Sequence, residues 1–271
     1  MIRVDQVRSL FHMRVHFINE ICLFVFRIMD LSIACQRGRN WVKVHKNEVL
    51  IGEKSDANIL LIGDSIMAHL DRYPCIEEYT IGRPILNFCS RGDKIQHLIW
   101  KIKNNIIPKH IRSIIVHIGT NNLSNNTEKE ICDGLGRVVG LVMGRQGALS
   151  KVHLVGLIPR EDPTHPFRQK IMNINTELEK RFEGWEVFIK PPSNLLSENG
   201  ELASQFYHDN LHLNEVGMEL FFQTVTNYLN FPYKFVKKRM RTRRELNAIK
   251  ALPKIKTIEW FDYRQFKVLL F

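Results

Sequence analysis

The stretch NILLIGDS spans residues 58–65, where a short apolar run ends at Gly63 and is followed by Asp64 and Ser65. Four more apolar runs of similar length follow it, at residues 85–88, 113–118, 151–157 and 186–189. Runs of this length, apolar at successive positions, are typical of strands buried on both faces in a parallel sheet. The sequence therefore predicts five strands, and the first of them ends beside a serine.

Helical patterns lie between and after these runs, at residues 65–72, 93–105, 127–145, 168–183 and 214–228. Thr127 with Glu130 three residues later is a capping-box signature for the third of these helices. Alternating strands and helices imply right-handed crossovers and a three-layer α/β/α sandwich. Ligands of such folds bind at the carboxyl ends of the strands, so the turns that follow the strands are where a site is expected.

The net charge of +11 is unevenly distributed, and it divides the chain into three regions. Residues 231–271 carry twelve basic and three acidic side chains, a net of +9, whereas residues 1–57 carry +3 and residues 58–230 carry −1. We therefore predict an α/β domain at 58–230 between two basic extensions. The N-terminal extension contains apolar residues at helical spacing, which predicts an amphipathic helix over residues 14–30.

The basic C-terminal extension has two interpretations. Aromatic residues are interleaved with its Lys and Arg, a pattern that suits single-stranded nucleic acid, and Lys237–Arg244 resembles a nuclear-localisation run. Leu246, Ile249 and Leu252 have helical spacing instead, which favours a packed helix with a solvated basic face. A cytoplasmic location, or a nuclear one through Lys237–Arg244, is expected.

Cysteine usage and hydropathy exclude two further classes. The five cysteines, at positions 22, 35, 75, 89 and 132, form no CxxC pair, which predicts free, mostly buried thiols in a reducing compartment. No stretch approaches the roughly 20 apolar residues that a membrane span needs. No metal-finger spacing is present either, and we expect that the protein uses no metal or cofactor.

Polar residues in the turns can form a nucleophilic site. Ser65 needs a base to remove its proton, and His212 is the candidate, with Asp209 placed three residues earlier to orient the imidazole. A backbone N–H at Gly92, the side-chain amide of Asn121 and the N–H of Ser65 itself are candidate donors to an oxyanion. Each turn alone has a plainer explanation as a cap or loop; their joint occurrence favours catalysis.

The chain resembles the SGNH (GDSL-type) hydrolases over residues 58–228, in four blocks: IGDS at 62–65, RGD at 91–93, GTNN at 119–122 and DNLHL at 209–213. Within that family it is most similar to the catalytic subunits of intracellular platelet-activating-factor acetylhydrolase, through GLIPR at 156–160 and RQK at 168–170. The resemblance implies a flavodoxin-like five-stranded sheet. It assigns Ser65 as nucleophile, Gly92 and Asn121 as oxyanion donors, Asp209 as acid and His212 as base.

The resemblance also implies an activity, namely hydrolysis of a short-chain carboxylic ester in lipid metabolism by an enzyme that forms a homodimer. Two alternatives remain open at this point. One is a viral or mobile-element protein whose esterase-like domain is joined to a nucleic-acid-binding extension. The other is a scaffold that has lost activity, which the five intact site positions disfavour.

Overall fold

The computed structural model describes residues 34–73, 84–146 and 150–229, and within them the five predicted strands form one parallel sheet. The strands run in the order β2-β1-β3-β4-β5, which is the flavodoxin-like order. Their bounds are β1 Ile59–Gly63, β2 Ile85–Asn87, β3 Ser113–His117, β4 Lys151–Val155 and β5 Phe188–Ile189. All pairs are parallel, so the carboxyl ends of the strands share one edge.

Helices cover both faces of the sheet. They are α1 Arg39–Lys54, α2 Ser65–Ala68, α3 Ile95–Lys103, α4 Glu128–Gln146, α5 Pro166–Arg181 and α6 Glu215–Tyr228. Leu60 and Ile62 of β1 lie in one apolar cluster with residues of α3, α4 and α5. On the other face, His117 of β3 packs edge-to-face against Phe221 of α6. The predicted three-layer α/β/α sandwich is therefore confirmed.

Three local features refine the prediction. The helix expected at 65–72 is a single α-turn, α2, continued by a 3-10 turn at His69–Arg72. The capping box before α4 is confirmed, since Thr127 N donates to Glu130 Oε2 over 2.7 Å and Glu130 N donates to Thr127 Oγ1 over 3.2 Å. Among the described cysteines, Cys132 is buried, but Cys35 and Cys89 are only partly so, and all three are free thiols.

The two predicted extensions are described only in part. The amphipathic helix predicted at 14–30 and the basic extension at 231–271 both lie outside the described residues. Helix α1, which the sequence did not predict, follows within residues 1–57, and its Val49 packs against the main apolar cluster. No helix within the described ranges is both long and apolar enough to cross a membrane.

Candidate active site

Ser65 is placed at the carboxyl edge of the sheet by a turn that only glycine allows. A Cβ on Gly63 would lie 2.0 Å from the backbone oxygen of His117 on the neighbouring strand. Asp64 then caps α2, because its Oδ1 accepts from the Ile66 N–H over 3.0 Å. The serine is consequently the first residue of α2, two positions after the end of β1, and its side chain is largely buried.

Ser65, His212 and Asp209 form one hydrogen-bonded chain. Ser65 Oγ lies 3.2 Å from His212 Nε2, and His212 Nδ1 lies 2.9 Å from Asp209 Oδ2. A carboxylate can only accept hydrogen bonds, so its position favours the tautomer with the proton on Nδ1. That tautomer leaves Nε2 as an acceptor for the serine hydroxyl, which is the arrangement of a general base.

The loop at 209–212 fixes the acid as well as the base. Asp209 Oδ1 accepts from the backbone N–H groups of Leu211 and His212, over 2.8 and 2.6 Å. Partial burial raises the pKa of Asp209, but the hydrogen bonds from the His212 N–H, the His212 ring and the Leu211 N–H outweigh it and lower the pKa to about 2. The carboxylate is therefore charged at neutral pH.

The predicted oxyanion donors lie in two further turns. Gly92 has a φ of 73°, in the left-handed region that favours glycine. Its loop runs beside the end of β1, since Ser90 N donates to Gly63 O over 2.9 Å. Asn121 follows β3, and its Nδ2 donates to the backbone oxygen of Asp93 over 2.9 Å. Gly92 and Asn121 are thus linked to each other through Asp93.

A ring that contacts His212 was not predicted. His69, in the 3-10 turn after α2, stacks on the ring of His212 with a centroid distance of 4.7 Å and an interplanar angle of 30°. Burial, and then the positive charges of His212, Arg72 and Arg91, lower the pKa of His69 to about 4 despite the opposing charge of Asp209. No spacing signal could have identified it, because its partner lies far along the chain.

Comparison with known proteins gives the chain its relatives. No protein-family model matches it. It is 34% identical over 139 residues to platelet-activating factor acetylhydrolase IB subunit alpha2 of Rattus norvegicus, a match that covers 50% of this chain and 58% of the relative. It is 27% identical over 181 residues to subunit alpha1 of Bos taurus, covering 65% and 77% respectively. The chain is therefore similar in sequence to these acetylhydrolase subunits over half to two thirds of its length.

The fold has its own counterpart among solved structures. A GDSL-like lipase from Bacteroides thetaiotaomicron superposes with a TM-score of 0.55 at 16% identity, covering 70% of this chain and 95% of that one. The family resemblance and the fold expected from the sequence are both confirmed. The chain spans 58% of the length of the alpha2 acetylhydrolase subunit that it matches.

Proposed function

We propose that this chain is a serine ester hydrolase in which Ser65, His212 and Asp209 carry the reaction. The observation that supports this most directly is the continuous chain of hydrogen bonds from Ser65 Oγ through the His212 ring to Asp209 Oδ2. A hydroxyl next to a correctly oriented imidazole can be deprotonated as it attacks a carbonyl carbon. The same three groups then serve both half-reactions.

In the first half-reaction, Ser65 Oγ attacks the ester carbonyl while His212 Nε2 takes the hydroxyl proton. Asp209 stabilises the imidazolium that forms, and the carbonyl oxygen becomes an oxyanion. The backbone N–H groups of Ser65 and Gly92 and the amide of Asn121 donate to it in this proposal. His212 then returns the proton to the leaving alcohol, and an acyl-serine remains.

In the second half-reaction, water attacks the acyl carbon and His212 takes its proton. Collapse of the second oxyanion breaks the bond to Ser65 Oγ and returns the proton to the serine. A carboxylic acid and an alcohol are the products. Relatives named as acetylhydrolases favour a short acyl group, and turnover of p-nitrophenyl esters from C2 to C12 measures that preference.

The nucleophile is tested with a fluorophosphonate probe, which phosphonylates activated serines. Wild-type protein is expected to be labelled and Ser65→Ala is not. Ser124→Ala is the matched control, because Ser124 is an exposed serine in a turn outside the site, and it should label like the wild type. Equal labelling of Ser65→Ala and the wild type would refute the assignment.

The remaining expectations stay predictions. They are a homodimer, a cytoplasmic or nuclear location, and nucleic-acid binding through residues 231–271, which lie outside the described part of the chain. The similar proteins named above are an acetylhydrolase subunit and a GDSL-like lipase, and they give no support to the alternative of a viral or mobile-element protein.

A further inference from the structure

Helix α1 and the residues just before it grip the loop that carries Gly92. Trp41 Nε1 donates to Asp93 Oδ1 over 2.9 Å, and Arg37 Nη1 donates to the same oxygen over 3.2 Å. Arg37 Nη1 also donates to the backbone oxygen of Arg91 over 2.7 Å. Arg91 and Asp93, the neighbours of Gly92 on its two sides, are thus held by residues from outside the loop.

A buried lysine ties the same helix to the start of the loop. Lys101 of α3 is 1% exposed. Its Nζ donates to Glu48 Oε2 on α1 over 3.0 Å, to Ser90 Oγ over 2.6 Å and to Phe88 O over 3.2 Å. An ammonium group has three N–H bonds, and these acceptors satisfy all of them. We call Arg37, Trp41, Glu48 and Lys101 the α1 clamp.

Asp93 connects the α1 clamp to Asn121, the second oxyanion donor. Its carboxylate is held by Trp41 and Arg37, while its backbone oxygen accepts the hydrogen bond from Asn121 Nδ2. Asp93 N in turn donates to Ser90 O over 3.1 Å, which closes the loop around Gly92. Displacing Asp93 would therefore move both Gly92 and the Asn121 amide.

The clamp is built from groups that are costly to bury. A buried carboxylate and a buried ammonium lose solvation, and well-packed apolar residues often stabilise a fold as well or better. Hydrogen bonds, unlike apolar contacts, fix direction as well as distance. That directional control matters at an oxyanion hole, where displacement of a catalytic group by about 1 Å can cost about 10²-fold in rate.

We propose that the α1 clamp positions the oxyanion donors, with Arg37, Trp41 and Glu48 as positioning residues that act through Asp93 and Lys101. This inference rests on the proposed ester hydrolase function, which it deepens. It gives the N-terminal segment a role in catalysis although none of its residues belongs to the Ser65–His212–Asp209 chain.

The test compares Trp41→Phe with Trp100→Phe. Trp41 and Trp100 are neighbours in one aromatic cluster, with ring centroids 5.2 Å apart. Each change removes an indole N–H and keeps an aromatic ring, but only Trp41 Nε1 reaches Asp93 Oδ1. Trp41→Phe is expected to speed amide hydrogen exchange of residues 88–94 relative to Trp100→Phe. It should also lower kcat for p-nitrophenyl acetate roughly 10-fold with KM within twofold, less than the 10²–10³ lost with a donor.

A double-mutant cycle shows whether the effect passes through Asn121. In an Asn121→Ala background, Trp41→Phe is expected to lower kcat by clearly less than the roughly 10-fold loss in the wild-type background, because one of the two donors that the clamp holds is gone and only Gly92 remains. Equal exchange and kcat in Trp41→Phe and Trp100→Phe, or fully additive losses in the cycle, would overturn the proposal. Should the wild type hydrolyse no ester, the proposed function fails and the oxyanion role fails with it, while the exchange data still report whether α1 holds the loop.

Discussion

Two aspartates in different loops of the site show two ways of using a carboxylate. The Asp209 side chain is 52% exposed, and its partners are the backbone and ring of residues at most three positions away. The Asp93 side chain is 1% exposed, and the side chains that donate hydrogen bonds to it are Arg37 and Trp41, more than 50 positions earlier. One is built by a local turn and the other by tertiary packing.

The environments drive the two pKa values apart. Hydrogen bonds from its own loop lower the pKa of Asp209 to about 2. Burial raises the pKa of Asp93 to about 6, although Lys101, Arg37 and Trp41 oppose it. The comparison indicates that a carboxylate needed for its charge stays near solvent, whereas one needed for its shape can be buried at an electrostatic cost.

The largest expected effect comes from removing the charge at the exposed aspartate. Asp209→Asn is expected to lower kcat for p-nitrophenyl acetate by about 10⁴, as the equivalent change does in the serine-protease triad, because the amide no longer fixes the His212 tautomer. Steady-state kinetics measure it. The control is Asp162→Asn, another exposed aspartate whose Oδ1 accepts from a nearby backbone N–H, that of Thr164. A loss of less than tenfold at Asp209 would contradict its assigned role.

The next effect concerns stability and changes with pH. The folded-state pKa of Asp93 is raised from 3.8 to about 6, so its contribution to stability is complete below about pH 4 and is lost as pH rises through 6. Asp93→Asn removes this dependence. Its free energy of unfolding, relative to the wild type, is therefore expected to rise between pH 4 and pH 7 by up to about 3 kcal/mol.

Asp209→Asn provides the opposite case. The pKa of Asp209 is lowered in the folded state, so its contribution to stability is present above about pH 4 and is lost only as pH falls through about 2. Denaturant unfolding at pH 8 and pH 9, above the range in which imidazole side chains ordinarily titrate, should then give the same difference from the wild type. A flat pH response of Asp93→Asn between pH 4 and pH 7 would show that the two carboxylates do not differ as described.

The smallest effect is expected at the face of His212 that neither aspartate touches. His69→Phe keeps a ring stacked on His212, so its kcat should stay within about threefold of the wild-type value. His69→Ala should lower kcat about tenfold, because the His212 ring loses a contact that holds its orientation. Since the pKa of His69 is about 4, the acid limb of the pH–rate profile between pH 5 and 8 should show one proton in the wild type and in His69→Phe. An acid limb that shows two protons in the wild type but one in His69→Phe would disprove that His69 is neutral where it stacks on His212.

Local patterns allowed the sheet to be predicted, whereas α1 required tertiary information. Strand β1, Ile59–Gly63, is apolar and buried at every position, so its buried state follows from its composition. In α1, Val44, Leu50 and Ile51 are exposed by about half, and no buried apolar stripe appears. Apart from the packing of Val49, the helix is held by hydrogen bonds to Asp93 and Lys101. Hydrogen bonds between residues about 50 positions apart leave no periodic signal.

The candidate site divides in the same way. Ser65, Gly92, Asn121, Asp209 and His212 were identified because each follows a strand or precedes the last helix, where topology gathers polar turns. His69 and Asp93 were not singled out, since their roles depend on a ring stack and on buried partners. Distances between these groups came only from the folded chain.

The order of the groups along the chain has a consequence for biosynthesis. Ser65 and His212 are 147 positions apart, and the sheet ends at Ile189, before either Asp209 or His212. A growing polypeptide that has emerged only as far as β5 holds every strand of the sheet but neither the acid nor the base. Under the proposed mechanism, its serine would remain unreactive towards esters until the loop at 209–212 leaves the ribosome.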